Sequence, residues 1–133
     1  MPLVQLTYAS RPFGFDEAVL GTILLDARRC NMRDGITGTL IVRQDLFLQL
    51  LEGPAKAVDA AYKRISRDDR HINVRQLTRR DVSERLFPDW AMRHDPARSW
   101  MWSMDEVADG AVQRASEAEI LDVFARLRFE PAD

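Results

Sequence analysis

Apolar residues are densest from Leu46 to Leu51, a stretch of strand length closed by Gly53-Pro54, a strong strand-to-helix punctuation. Side chains alternate across a strand, so Leu46, Leu48 and Leu50 share one face and Phe47, Gln49 and Leu51 the other. Gln49 therefore stands on an apolar face, where each amide group left without a partner costs about 1–3 kcal/mol. Either a neighbouring loop backbone or a ligand has to meet it.

The flanking patterns supply the rest of a fold. Leu3 to Tyr8 reads as an opening strand with Val4, Leu6 and Tyr8 on one face, broken by Arg11-Pro12-Phe13-Gly14. Asp16 is placed to cap a helix whose apolar stripe is Leu20, Ile23, Leu24 and Ala27. The same spacing brings Cys30 and Asn31 to the end of that stripe, and Asp34-Gly35 closes the helix. Ile36 to Arg43 is a further strand, joined through Gln44-Asp45 into a hairpin with Leu46–Gly53. Pro54 suits the first position of a second helix running to Asp68 or Asp69, with Val58, Ala61, Tyr62 and Ile65 toward a core.

A neighbouring stripe of that second helix reads Ala57, Ala60 or Ala61, Arg64, Asp68 and, just beyond, His71. Small alanines there admit something flat, with polar groups at the far end. The plainer reading of Arg64 and Asp68 is a solvated i,i+4 ion pair worth about 0.3–0.5 kcal/mol. Asn73 to Leu77 begins a fourth strand that bends toward Arg85, with Arg79-Arg80-Asp81 as a solvated edge. Phe87-Pro88-Asp89 turns the chain into a short fifth strand, Trp90–Arg93, with Trp90 and Met92 on one face. Helices are predicted around Ser99–Glu106 and from Ser116 to about Leu127, the latter with a Ser116/Glu119 capping box.

The order βαββαββ predicts an α+β, ferredoxin-like sheet with two helices on one face. A C-terminal helical tail carrying Trp100, Met101, Trp102, Met104, Ile120, Leu121, Phe124 and Leu127 is expected to cover the other face. Residues 1–95 then form the principal domain and 96–133 an extension on the back of the sheet. Incomplete cover would leave a subunit interface there.

Composition narrows the classes. A chain of 133 residues, 46% hydrophobic, fits one compact domain. A formal charge of −2 without a dense basic stripe argues against nucleic acid as the main partner. Cys30 is the only cysteine, compatible with a reducing cytoplasm. Neither a leader-like N-terminus nor an apolar run of about 18 residues is present, so a cytoplasmic protein with no membrane span is expected. No metal-ligand spacing and no Gly-rich phosphate loop occur in the sequence.

In such a sheet Tyr8 and Gln49 lie near one another on the helix-facing side, and Asn31 descends from the first helix over the same spot. The segments Leu6-Thr7-Tyr8-Ala9-Ser10, Asn31, Gly35-Ile36-Thr37-Gly38 and Phe47-Leu48-Gln49-Leu50-Leu51-Glu52-Gly53-Pro54 then acquire a common meaning. So do Arg64, Asp68, Arg70-His71 and Phe87-Pro88-Asp89-Trp90-Ala91-Met92. In order and spacing, from about residue 3 to 95, they resemble the BLUF family, small blue-light sensors that use a flavin.

The resemblance implies that the ring of FAD, for which FMN or riboflavin can substitute, slides between the two long helices. Asn31 and Gln49 would meet its carbonyl and nitrogen edge, because an amide can supply a donor or an acceptor. Ile23 and the alanine face of the second helix would sandwich the ring, and Arg64, Asp68 and His71 would contact its polar edge or ribityl chain. Light would draw an electron and a proton from Tyr8, leaving Gln49 rotated or tautomerised. Trp90 and Met92 are the implied readout, since either can lie against Gln49, with Met92 the more flexible. Cys30 and Met32 depart from residues found in some relatives. Cys30 is read as a buried small hydrophobe, and Trp100 and Trp102 as packing for the back of the sheet.

The resulting expectation is a photoreceptor without enzymatic activity, signalling through a protein contact or a change in assembly. Implied partners are a separate effector, such as a cyclic-di-GMP phosphodiesterase or a transcriptional regulator, and further copies of the chain in a homo-oligomer. A small ferredoxin-like enzyme or regulator binding a colourless metabolite is the competing reading, but no catalytic titratable pair converges with Gln49.

Overall fold

The computed structural model describes residues 3–14 and 16–131. Among the described residues, five strands and five helices follow one another as β1 (Leu3–Pro12), α1 (Glu17–Asp34), β2 (Thr37–Arg43), β3 (Leu46–Pro54), α2 (Ala55–Ser66), β4 (His71–Val82), β5 (Arg93–Pro96), α3 (Met104–Ala108), α4 (Ala111–Arg114) and α5 (Glu117–Leu127). The sheet order is β4-β1-β3-β2-β5. The first four strands pair antiparallel in the ferredoxin-like arrangement, and β5 adds a parallel edge beside β2.

Each sheet face buries its own core. Val4, Leu6, Tyr8, Leu40, Val42, Phe47 and Leu51 pack under Leu20, Ile23 and Leu24 of α1 and Val58 and Ala61 of α2. On the reverse, Ile41, Leu46, Leu48 and Leu50 meet Val112, Ile120, Val123, Phe124 and Leu127, with Trp100, Met101 and Trp102 packed alongside. Met104, expected among that cover, is 42% exposed. The reason is local: Ser103, not a residue near Ser99, caps the helix through a box with Glu106, which places Met104 in its first turn.

Several boundaries move for similar reasons. β1 continues past Tyr8 to Pro12 because β4 lies along it, pairing Arg11 with Ile72 and Pro12 with His71. α2 stops at Ser66, so Asp68 lies beyond the helix and the i,i+4 geometry with Arg64 does not arise. Pro54 is the N-cap residue of that helix rather than its first residue. The fifth strand starts at Arg93, not Trp90, because pairing with β2 begins at Thr39–Arg93. Trp90 and Met92 therefore do not share a strand face: Trp90 is 42% exposed and Met92 1%. Gly38 in β2 allows the chain to cross β3 closely, since a Cβ there would overlap the Leu50 carbonyl.

Candidate functional site

Between α1 and α2 opens a cleft of about 280 Å³ whose floor is Gln49 and Leu51 of β3. Ile23, Asn31, Gln49, Arg64, Asp68 and His71, all singled out in the sequence, line it. α1 contributes Ile23, Ala27 and Cys30 at helical spacing, and α2 contributes Ala61 and Ile65. Cys30 is half-buried in the cleft wall rather than sealed in the core. Asp26, Arg29 and Arg70 at the walls were not singled out from sequence as site residues; the i,i+3 continuation of the Ile23 stripe was the signal for the first two.

Tyr8, like Met92 and Trp90, does not line the cleft. Tyr8 is fully buried beneath the floor, and its hydroxyl donates to Gln49 Oε1. Its pKa is pushed far up, first by burial and then by the negative charge of Asp68, so the phenol keeps its proton. Gln49 Nε2 donates to Met92 Sδ at 3.1 Å. The amide is thus strung between a phenol and a thioether, and Trp90 takes no part in that chain.

The amide of Asn31, 3% exposed, donates through Nδ2 to the Ala91 carbonyl at 2.8 Å. Among the described residues, neither Asn31 Oδ1 nor the second N–H of Gln49 Nε2 has a hydrogen-bond partner. Both side chains line the cleft, which leaves one acceptor and one donor for a guest. A flat ring carrying alternating carbonyl and ring-nitrogen groups fits that pair, and Ile23 and Ala61 are apolar enough to face its surfaces.

The polar end of the cleft is set by ion pairs. Arg64 lies 3.6 Å from Asp34, while Asp68 is gripped by Arg70 at 2.6 Å. The hydrogen bonds from Arg70 hold the Asp68 carboxyl below the usual carboxylate range. His71 Nδ1 shares a hydrogen bond with Ser10 Oγ at 2.8 Å, and its ring centroid lies 5.0 Å from that of Phe47. Burial there lowers its pKa to about 4, so the imidazole is neutral at physiological pH.

A ferredoxin-like sheet with an amide-floored slot between its helices, and a protonated tyrosine directly below, defines a ligand-binding domain whose slot suits a flat ring with polar edges. Comparison with known proteins makes the class specific. The family model described as "BLUF: Sensors of blue-light using FAD" matches residues 3–93. A photoactivated adenylate cyclase subunit beta of Euglena gracilis is 39% identical over 94 residues, covering 68% of this chain and 11% of that protein. The chain thus spans about a tenth of the length of that relative. The dark-state structure of BlrB, a BLUF protein, is 32% identical with a TM-score of 0.76, covering 94% of this chain and 93% of BlrB. The ground state of BlsA superposes with a TM-score of 0.82 at 25% identity, covering 98% of this chain and 91% of the other.

The chain belongs to the BLUF family. Residues 3–93 constitute a blue-light sensor domain that uses FAD. No helix among the described residues is long and apolar enough to cross a membrane.

Proposed function

We propose that Gln49 is the light-driven switch of this sensor, with Tyr8 as its electron and proton donor and Met92 as the first group to respond. The observation that carries the reading is the chain Tyr8 Oη–Gln49–Met92 Sδ, which runs across the cleft floor. Ile23, Asn31, Arg64, Asp68 and His71 hold the cofactor, with Asn31 and Gln49 presenting their unused polar groups to it. Bound FAD supplies the absorption of blue light and, once excited, a strong electron acceptor.

Tyr8 is prepared to answer by proton-coupled oxidation. A buried phenol that loses an electron becomes a strong acid, and Gln49 Oε1 already accepts its hydrogen bond. The proton would pass from Tyr8 Oη to that oxygen as the electron leaves; on charge recombination the phenol would regain its electron and a proton, the latter from Oε1 or, where the tautomer is left, from Nε2. An amide released from this arrangement can settle with its ends exchanged or as its tautomer. In the rotated form Nε2 donates to Tyr8 Oη and Oε1 turns toward Met92. A thioether sulfur has no proton to give, so Met92 has to repack. The switch is a local exchange of hydrogen bonds that biases the segment around Met92.

The output is a contact with a separate effector protein or a change in the assembly of homo-oligomers. Relatives described as a blue light- and temperature-regulated antirepressor and as a cyclic-di-GMP complex point to a transcriptional regulator or a cyclic-di-GMP phosphodiesterase as the effector class. The alternative of an enzyme or regulator binding a colourless metabolite is separated by colour. The purified protein is expected to be yellow, with flavin bands that move reversibly to longer wavelength under blue light. Gln49→Leu and Tyr8→Phe should stay yellow and lose the shift. A normal photocycle in either variant overturns the assigned roles, and a protein that remains colourless after incubation with FAD supports the metabolite reading.

A further inference from the structure

The segment leading into β5 has almost no regular structure, yet three consecutive carbonyls along it are individually held. The Trp90 carbonyl accepts from Gly38 N–H at 3.0 Å, and the Ala91 carbonyl from Asn31 Nδ2 at 2.8 Å. That of Met92 accepts from Arg28 Nε at 3.0 Å. Asn31 and Arg28 stand one turn apart on α1 and grip adjacent peptides. Arg28 is otherwise exposed, and among the described residues no carboxylate pairs with it. An exposed arginine ordinarily stays in water. This one spends its Nε–H on the backbone of the residue whose sulfur touches Gln49.

We propose that Arg28 is a positioning residue for the photocycle, holding the Met92 sulfur against Gln49 and so opposing the switched state. The proposal rests on the reading of Gln49 as the switch. With the amide as it stands, Nε2 donates to Met92 Sδ and the clamp favours the contact. With the amide turned, Oε1 meets a sulfur that offers only lone pairs, and the two acceptors repel. A free Met92 segment would relieve the repulsion by moving away. One tethered through its own carbonyl repacks only by straining or breaking the Arg28 bond, so the tether destabilises the turned amide and hastens its return.

The test is the dark recovery of the FAD-loaded full chain after blue illumination. Removing a charge-assisted hydrogen bond in Arg28→Ala should slow recovery about tenfold, without abolishing the red shift. Arg28→Lys, which returns a donor, should restore most of the rate. In a Met92→Ala background, Arg28→Ala should alter recovery by less than about twofold, because the sulfur it positions is gone. Recovery in Arg28→Ala that is faster, or within about twofold of the unaltered protein, overturns the proposal. So does failure of the lysine variant to restore it, or equal slowing without Met92. If Arg28→Ala does not retain flavin, Arg28→Gln carries the same comparison. Gln49→Leu run in parallel keeps the two readings apart. A persisting red shift there sinks the switch itself, whereas its loss alongside unchanged recovery in Arg28→Ala sinks only the role of Arg28.

Discussion

Tyr8 and His71 face each other with ring centroids 6.0 Å apart, and the same burial pushes their proton equilibria in opposite directions. For a phenol, burial disfavours the anion and raises the pKa; for an imidazole it disfavours the cation and lowers it. Nearby Asp68 pulls His71 upward, but less strongly than desolvation pulls it down. With its folded pKa near 4 and an ordinary value of 6.5, His71 binds fewer protons in the folded chain across that window. Its contribution is therefore present above pH 6.5 and is lost as the pH falls toward 4. Urea unfolding followed from pH 7 to pH 4 should show stability falling on acidification, with a shallower fall in His71→Gln. An unchanged slope in that variant would assign the acid sensitivity to other groups. Tyr8 works at the opposite end: its raised pKa withdraws stability only as the pH climbs above 10, the ordinary phenol value.

At the scale of elements, most of the order is set by short-range devices. Asp16 Oδ1 accepts from Ala18 N–H at 2.6 Å at the start of α1, and Ser116 with Glu119 forms the capping box of α5. Where no such device exists, buried polar side chains do the fastening. Glu52, fully buried at the end of β3, accepts from Leu86 and Phe87 N–H at 2.8 Å and so anchors the crossing that follows β4. Asp95 in β5, also fully buried, accepts from Thr39 Oγ1 at 2.6 Å, lies 3.0 Å from Arg93 and pairs with Arg98 at 3.2 Å. Arg93 in turn reaches the Glu130 carbonyl beyond α5, so this charge pair ties the edge strand to the tail. Asp95→Ala would leave Arg93 buried and uncompensated, and should cost about 3–5 kcal/mol in urea denaturation. A loss under about 1 kcal/mol would mean that water reaches Arg93 readily.

For the whole molecule, the decisive feature is that both sheet faces are covered. The back face, with Ile41, Leu48 and Leu50, is closed by α4 and α5, and Trp100 adds a bond from Nε1 to Glu130 Oε1 at 3.0 Å. Arg126 lies 4.2 Å above the Trp100 ring, completing the seam. Phe124 is fully buried at the centre of that layer. Phe124→Ala should therefore lower unfolding stability by about 3–5 kcal/mol, read from the urea midpoint at constant slope. A smaller loss would show that the tail packs loosely and contributes little to the core.

The sequence alone determined the βαββαββ order of the sheet but not the extra helix α4 in the tail, both long helices and their inward stripes, the hairpin through Gln44-Asp45, and the unusual placement of Gln49 on an apolar strand face. These follow from periodicity, caps and turn residues, which act over a few neighbours. The resemblance carried by its motifs also indicated the flavin family, and the match over residues 3–93 bears that out. Only the tertiary structure decided that Met92 touches Gln49 while Trp90 is exposed, because the intervening bend is set by carbonyl contacts from Gly38, Asn31 and Arg28. It likewise moved Asp68 off the helix and paired it with Arg70 instead of Arg64. Local patterns choose elements; partners distant along the chain choose which side chains meet, since those contacts exist only once the sheet has closed.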